Sequence, residues 1–276
     1  MLGQAVSAEV SLAGIGFEST NSRELDIRDA SETKNVVLDA GADYVINCAA
    51  FTRVDDAEVE VNAAISVNAL GAENLANSCK AAGSKLIHIS TDYVFEGIGS
   101  EPYKESDITN PLTVYGKSKL EGEKRILASG ADSYILRTAW LYGTGGKNFV
   151  TTMIDLANRQ SRISVVDDQV GQPTSTEQLA KGILSVIEVK PSFGIYNATC
   201  KGQTSWFHFA EYIFQTLNFS DIDLAPVGSE QFLRTTARPG YSVLSSEKWM
   251  ANNLRPFLDW ESALTEFLTD NHGVTK

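Results

Sequence analysis

A phenol, an ammonium and a hydroxyl can together move a proton, and this sequence carries all three close to one another. Thr91 stands in Ser90-Thr91-Asp92-Tyr93-Val94-Phe95, and Tyr115 and Lys119 stand in Tyr115-Gly116-Lys117-Ser118-Lys119. Tyr115 and Lys119 are four residues apart, so on a helix they share a face, one turn from each other. Tyrosine is a weak acid with a pKa of about 10 in water. A neighbouring ammonium favours the phenolate and lowers that value toward working pH. Thr91 can then share a hydrogen bond with Tyr115 and with a substrate oxygen. A Tyr-x-x-x-Lys spacing alone is also what a surface Tyr and a solvated Lys give on any amphipathic helix. The Ser-Thr-Asp upstream shifts the balance toward chemistry.

Those side chains need a strand and a helix to hold them. Lys85-Leu86-Ile87-His88-Ile89 is an apolar run that reads as a buried strand ending at Ser90-Thr91. The breaker Asn110-Pro111 precedes a helical pattern over 114–129. Around them strands and helices alternate. Helices are expected over 29–40 and 62–82, and strands over 13–18, 43–47, 85–90 and 133–137. This is the pattern of an α/β fold, a doubly wound parallel sheet covered on both faces. After Tyr142-Gly143 the pattern changes. A helix from about 147 to 159, a short strand over 162–166 and a polar, Pro-interrupted loop over 167–174 suggest a second, smaller lobe. Further helices are expected over 176–188, 206–217 and 259–268, with a strand over 194–198 and an extended stretch over 222–226. The expected division is a dinucleotide-binding lobe of residues 1–142, completed by 178–197, a substrate lobe of 143–177 and 198–258, and a terminal helix and tail.

In order along the chain, Glu24-Leu25-Asp26-Ile27, Val45 to Thr52, Val67 to Gly71, Ser90 to Phe95, Tyr115 to Lys119, Arg137 to Gly143, Asp168 to Thr174 and Arg238 to Leu244 make a motif series. The series resembles the extended short-chain dehydrogenase/reductase family, and within it the branch that reduces dTDP-linked 4-dehydrorhamnose. The resemblance implies a Rossmann-like fold, NADPH or NADH as cofactor, and a dTDP-sugar as substrate. It implies Tyr115 as the proton donor, with Lys119 beside it holding the nicotinamide ribose and Thr91 as third catalytic member. Gly3, Asp26, Ile27, Ala49, Ala50, Phe51 and Thr52 would bind the cofactor; Thr91, Asp92, Trp140, Gln172 and Arg238 would meet the sugar nucleotide. Asn68 would support the backbone of the site. A relative's use of Mg²⁺ is compatible with the family, but no ligand motif supports it. A homodimer is equally compatible.

Bland readings stand beside several of these. Asp26 lies near a helix start and two alanines mean tight packing as readily as a cofactor. A Trp just past a strand, such as Trp140, is commonly core. The cluster Asp55-Asp56-Ala57-Glu58 reads as a helix start rather than a metal site. No Arg decisive for a 2′-phosphate follows the second strand, so NADPH and NADH remain open.

The opening residues are unusual for the fold. Met1-Leu2-Gly3-Gln4 reads as the end of a glycine-rich turn, with Gly3 its last glycine. The sequence is therefore expected to be a shortened version that lacks the first strand and most of the turn that seats a pyrophosphate. That feature keeps two alternatives open: another nucleotide-sugar reductase or epimerase, and a non-catalytic binding subunit like the regulatory subunit of methionine adenosyltransferase.

Composition narrows the partners. The 276 residues carry a net charge of −12, which argues against nucleic acid and anionic membranes. Apolar content of 43% and charged content of 21% describe a globular chain. Cys48, Cys79 and Cys200 are odd in number and widely spaced, which suggests reduced thiols and a cytoplasmic setting. His88, His208 and His272 fit structural roles. No apolar run approaches the roughly 20 residues of a membrane span.

Overall fold

The computed structural model describes residues 1–231 and 236–272. The first half contains α1 (Leu2–Leu12), α2 (Ala30–Ala40), β1 (Tyr44–Asn47), α3 (Val54–Ala57), α4 (Val61–Ile65), α5 (Ala72–Ala82), β2 (Lys85–Thr91), α6 (Val114–Ser129) and β3 (Ser133–Thr138). Then come β4 (Leu141–Tyr142), α7 (Phe149–Ala157), β5 (Arg162–Val166), β6 (Val170–Gly171), β7 (Thr174–Ser175), α8 (Thr176–Val189) and β8 (Gly194–Asn197). β9 (Thr204–Ser205), α9 (Trp206–Thr216), β10 (Asp223–Val227), α10 (Glu247–Ala251) and α11 (Trp260–His272) complete the chain.

The central sheet has the order β1-β2-β3-β8, all parallel. The middles of its strands are apolar on both sides because both faces are covered. Alternation sends Leu86 and Ile135 to one face, against Val37 of α2, Leu75 and Cys79 of α5 and Ile126 of α6. Ile87 and Leu136 point the other way, into a core with Leu2 and Val6 of α1 and Leu179 and Ile183 of α8. These four strand residues are fully buried, each stabilising the sheet by about 1.5–3 kcal/mol. Residues 194–197 return to this sheet as β8 beside β3. α9 and α11 extend the second core through Phe209, Ile213, Leu264 and Phe267. Away from the sheet, β5 pairs with β10, β4 with β7 and β6 with β9.

Local chemistry accounts for the helix ends. Asp29 accepts the backbone N–H groups of Ser31 and Glu32 and caps α2. Asn148 and Thr151 form a reciprocal capping box at α7. Gly41, Gly83 and Gly130 close α2, α5 and α6 in the left-handed conformation.

Two expectations are corrected. No strand forms over 13–18; the stretch is exposed coil and turn. A strand is stable only with a hydrogen-bonding neighbour, and among the described residues none lies beside this segment. The helix expected over 62–82 is interrupted: α4 passes into a π-helical turn, Ser66–Gly71, before α5 begins. Such wide turns are frequent at functional sites.

Candidate active site

The site forms at the C-terminal end of β2. Thr91 is the last residue of that strand and caps the 3₁₀ turn Asp92–Val94, its Oγ1 accepting from the Tyr93 backbone N–H at 3.2 Å. The same hydroxyl donates to Asp92 Oδ1 at 2.9 Å. Asp92 is 2% exposed, and a side-chain hydrogen bond joins it to Ser242. Burial nevertheless dominates and pushes its carboxyl up to about 6.

α6 delivers Tyr115 and Lys119. Thr113 caps it through the Gly116 N–H at 2.9 Å, and Glu58 accepts the Val114 N–H at 2.8 Å. The helix must come very close to its neighbours. A Cβ on Gly116 would lie 2.3 Å from the Tyr93 carbonyl oxygen, and one on Gly122 would lie 2.2 Å from the Asn68 carbonyl oxygen. Only glycine permits both approaches. Tyr115 meets Tyr93 edge-on, with ring centroids 5.5 Å apart, and is hydrogen-bonded to the Thr91 side chain. The strand end thus brings Thr91 to Tyr115, and Lys119 follows one helical turn later.

The expected lowering of the Tyr115 pKa is absent. Burial pushes the phenol up to about 12, the Thr91 hydrogen bond opposing and the Asp92 charge adding. The reason is where Lys119 points. Its Nζ donates to the Ile89 carbonyl at 2.5 Å and lies 3.2 Å from His88 Nε2. Burial brings its own pKa down to about 8, while Glu123 and Cys48 favour the charged form. In this arrangement Tyr115 is held as an acid.

Asn68 sits in the π-helical turn and is 1% exposed. Its Oδ1 accepts the Phe51 N–H at 2.8 Å, and its Nδ2 donates to the Phe51 carbonyl at 3.0 Å and to Ser118 Oγ at 2.9 Å. One amide therefore ties the loop after β1 to α6. That loop carries Ala49, Ala50, Phe51 and Thr52. Ala49 and Thr52 are exposed, Ala50 is half-buried and Phe51 is buried. A small, open run at the C-terminal end of a strand is where doubly wound sheets bind dinucleotides.

Asp26 and Ile27 lie at the turn before α2. Asp26 is paired with Arg28 through Nη2 at 2.6 Å, and this hydrogen bond holds its carboxyl down at about 2. Ile27 packs against Gly71. Gly3 falls in the first turn of α1, where an added Cβ would be 3.9 Å from Cys48 Cβ, an ordinary contact.

The residues expected at the sugar divide. Trp140 is half-buried, has φ of 45° and stacks on Trp206 with centroids 3.5 Å apart. A bulky residue in the left-handed region is strained. Arg238 donates to Asp55 Oδ2 at 2.7 Å and so bridges the loop after β10 to α3. Gln172 departs from the expectation. It is 5% exposed, and its Oε1 is taken by the Leu244 N–H at 2.8 Å and by the Thr199 hydroxyl at 3.1 Å. That oxygen fastens the loop 167–174 to neighbouring chain and is engaged internally.

Sequence reasoning missed the buried polar floor. Arg137 of β3 and Glu123 of α6 pair at 2.7 Å, each side chain 2% exposed. Ser90 donates to Glu123 Oε1 at 2.5 Å, and Arg137 lies under the Phe95 ring at 5.0 Å. The available signal was an Arg inside the apolar run Ser133–Thr138, since buried charges require partners. Among the described residues no cluster of three His, Cys, Asp or Glu could hold a metal ion, and no helix is long and apolar enough to cross a membrane.

A parallel sheet wound on both faces, with a strand-end Thr facing Tyr-x-x-x-Lys on the next helix, defines a short-chain dehydrogenase/reductase arrangement. The family model described as RmlD substrate binding domain matches residues 1–272. The chain belongs to that family. A dTDP-4-dehydrorhamnose reductase of Streptomyces griseus is 41% identical over 272 residues, covering 96% of this chain and 89% of the relative. The crystal structure of a Clostridium acetobutylicum dTDP-4-dehydrorhamnose reductase superposes with a TM-score of 0.93 at 40% identity, covering 97% of this chain and 94% of that one. The Bacillus anthracis dTDP-4-dehydrorhamnose reductase, solved in complex with NADP, gives a TM-score of 0.94 at 37% identity, with 98% and 95% covered.

Proposed function

We propose that this chain reduces the C4 carbonyl of dTDP-4-dehydro-L-rhamnose to give dTDP-L-rhamnose, using NADPH or NADH. The observation that carries the reading is the convergence of Thr91, Tyr115 and Lys119 at the end of β2 in a chain of this family. The residues present suit a dinucleotide: an open Ala49–Thr52 run at the strand ends, an acid at Asp26 and the Lys119 side chain within the same site. When bound, the nicotinamide supplies the hydride.

Tyr115 gives its proton to the carbonyl oxygen as negative charge develops there. Its raised pKa keeps that proton available up to strongly alkaline pH. Thr91 orients the phenol and, once its hydroxyl proton turns from Asp92 toward the cleft, donates to the same oxygen. Lys119, once its Nζ turns from Ile89 toward the cleft, stabilises the phenolate left behind. Asp92 orients Thr91, Trp140 lines the sugar side, and Arg238 offers a guanidinium to the diphosphate. The lobe of residues 1–142 with 178–197 takes the cofactor; 143–177 with 198–258 takes the sugar nucleotide.

The test is NADPH and NADH oxidation with dTDP-4-dehydro-L-rhamnose, with the product identified. Tyr115→Phe is expected to lower kcat by about 10²- to 10⁴-fold with substrate binding little changed. Near-normal turnover by that variant would remove Tyr115 as the acid. Turnover of a different dTDP-sugar instead would move the reading to another reductase of the same class.

A further inference from the structure

His88 and Asn47 are buried beneath the catalytic lysine, at 0% and 4% exposure, and neither has a part in the mechanism above. They are register partners on β2 and β1. Asn47 Oδ1 accepts the Ala49 backbone N–H at 3.0 Å. Asn47 Nδ2 lies 3.0 Å from His88 Nδ1. His88 Nε2 lies 3.2 Å from Lys119 Nζ, which donates to the Ile89 carbonyl.

The direction of this chain of hydrogen bonds is set at its far end. A backbone N–H can only donate, so the Asn47 oxygen must face Ala49. The Asn47 amide nitrogen must then face His88 Nδ1, and it too can only donate. Nδ1 therefore accepts, and in a neutral imidazole the proton sits on Nε2. Nε2–H points at Lys119 Nζ. An ammonium has no lone pair to receive it, whereas a neutral amine does.

We propose that Asn47 and His88 form a polarised relay that governs the protonation and position of Lys119: the neutral amine docks on His88, and the ammonium leaves it for the cleft. One proton balances the exchange. Nζ takes it from solvent as it departs, and His88 keeps its own throughout. Lys119 is then charged when it faces Tyr115 and uncharged when it is stored. Asn47 and His88 are positioning residues that act through Lys119.

The other groups that bear on the relay do not reverse it. Glu123, on the same helix as Lys119, and Cys48, just past β1, both favour the charged lysine. Glu123 is already committed to Arg137 and Ser90. Burial pushes the Cys48 thiol up to about 12, so it is uncharged. Burial holds His88 well below the ordinary histidine range, with Lys119 adding to this only while it is charged, in keeping with a neutral ring.

The tautomer is read by ¹⁵N NMR of histidine-labelled protein, where only three histidines contribute and His88→Gln assigns the signal. The expected result is an Nε2–H tautomer that stays neutral from about pH 5 to about pH 9. An Nδ1–H tautomer or an imidazolium in that range overturns the proposal. Asn47→Asp places acceptors at both ends, so His88 is expected to switch to Nδ1–H and offer Nε2 to the ammonium. The alkaline limb of kcat/KM that reports Lys119 should then move up by about one pH unit, a tenfold gain in proton affinity. An unchanged tautomer in this variant also overturns it; if the variant does not fold, the wild-type spectrum decides alone. The consequence for turnover rests on the role proposed for Lys119, but the tautomer needs no substrate. An inactive protein with the Nε2–H signature would sink the reductase reading and leave the relay standing.

Discussion

Replacing Glu123 by Gln should be among the most damaging changes that leave the volume of the chain intact. The carboxylate accepts from Arg137 Nε at 3.0 Å, from Arg137 Nη2 at 2.7 Å and from Ser90 Oγ at 2.5 Å. Gln keeps the shape but removes the charge, and Arg137 cannot lose its proton to compensate. An unpaired guanidinium, 2% exposed, costs about 3–5 kcal/mol. That is a large share of the roughly 5–15 kcal/mol that holds a typical native chain together. With an m value of about 3 kcal/mol/M in urea, the unfolding midpoint should fall by about 1–1.7 M. The companion is Glu123→Leu with Arg137→Met, which removes both charges together. It should recover most of the loss, because an apolar pair replaces a buried ion pair at little cost. Denaturation of Glu123→Leu, Arg137→Met and the double variant, followed by fluorescence and circular dichroism, closes the cycle. A Glu123→Gln loss below about 1 kcal/mol, or a double variant as unstable as the sum of the singles, would refute the reasoning.

Asp92 predicts a pH dependence of stability. Its folded pKa of about 6 lies above the ordinary aspartate value of 3.8, so between those values the folded chain binds more protons than the unfolded one. This contribution is fully present below the lower value and is lost as pH rises through the upper one, for about 3 kcal/mol in all. Asp92→Asn should flatten that decline in urea midpoints; an unaltered pH profile would count against it. Gly122→Ala forces a methyl against the Asn68 carbonyl and should cost about 1–3 kcal/mol of thermal stability, with kcat falling as Tyr115 is displaced. A variant of wild-type stability and rate would show that α6 has slack. Arg238→Ala should raise KM for the sugar nucleotide at least tenfold with little change in kcat. Asp55→Asn, which frees the guanidinium from its 2.7 Å partner, should leave KM unchanged or lower it; an increase would place Asp55 itself among the binding groups.

The sequence by itself determined the local order of this chain. Short apolar runs placed β2 and β3 and amphipathic stretches placed α6 and α8, because a strand buried on both faces is apolar and a helix on a sheet is apolar on one side. The capping residues Asp29, Asn148 and Ser205 fixed helix starts for the same local reason. Tyr115 and Lys119 were legible because four residues make one helical turn. The tertiary structure decided whatever depends on neighbours distant in sequence. The stretch 13–18 has strand composition but no strand beside it, so its pattern goes unused. A π-helical turn replaces regular helix at Asn68, where one amide must reach both Phe51 and Ser118. Spacing placed Lys119 beside Tyr115, yet the fold turns its amine to Ile89 and His88 and leaves the phenol a strong proton holder. Gln172 and Arg238 have the chemistry to hold a nucleotide, but the residues that engage them, Leu244, Thr199 and Asp55, are far away along the chain. Hydrogen bonds and charges act through space, so local pattern names the candidates and only the folded chain assigns their partners.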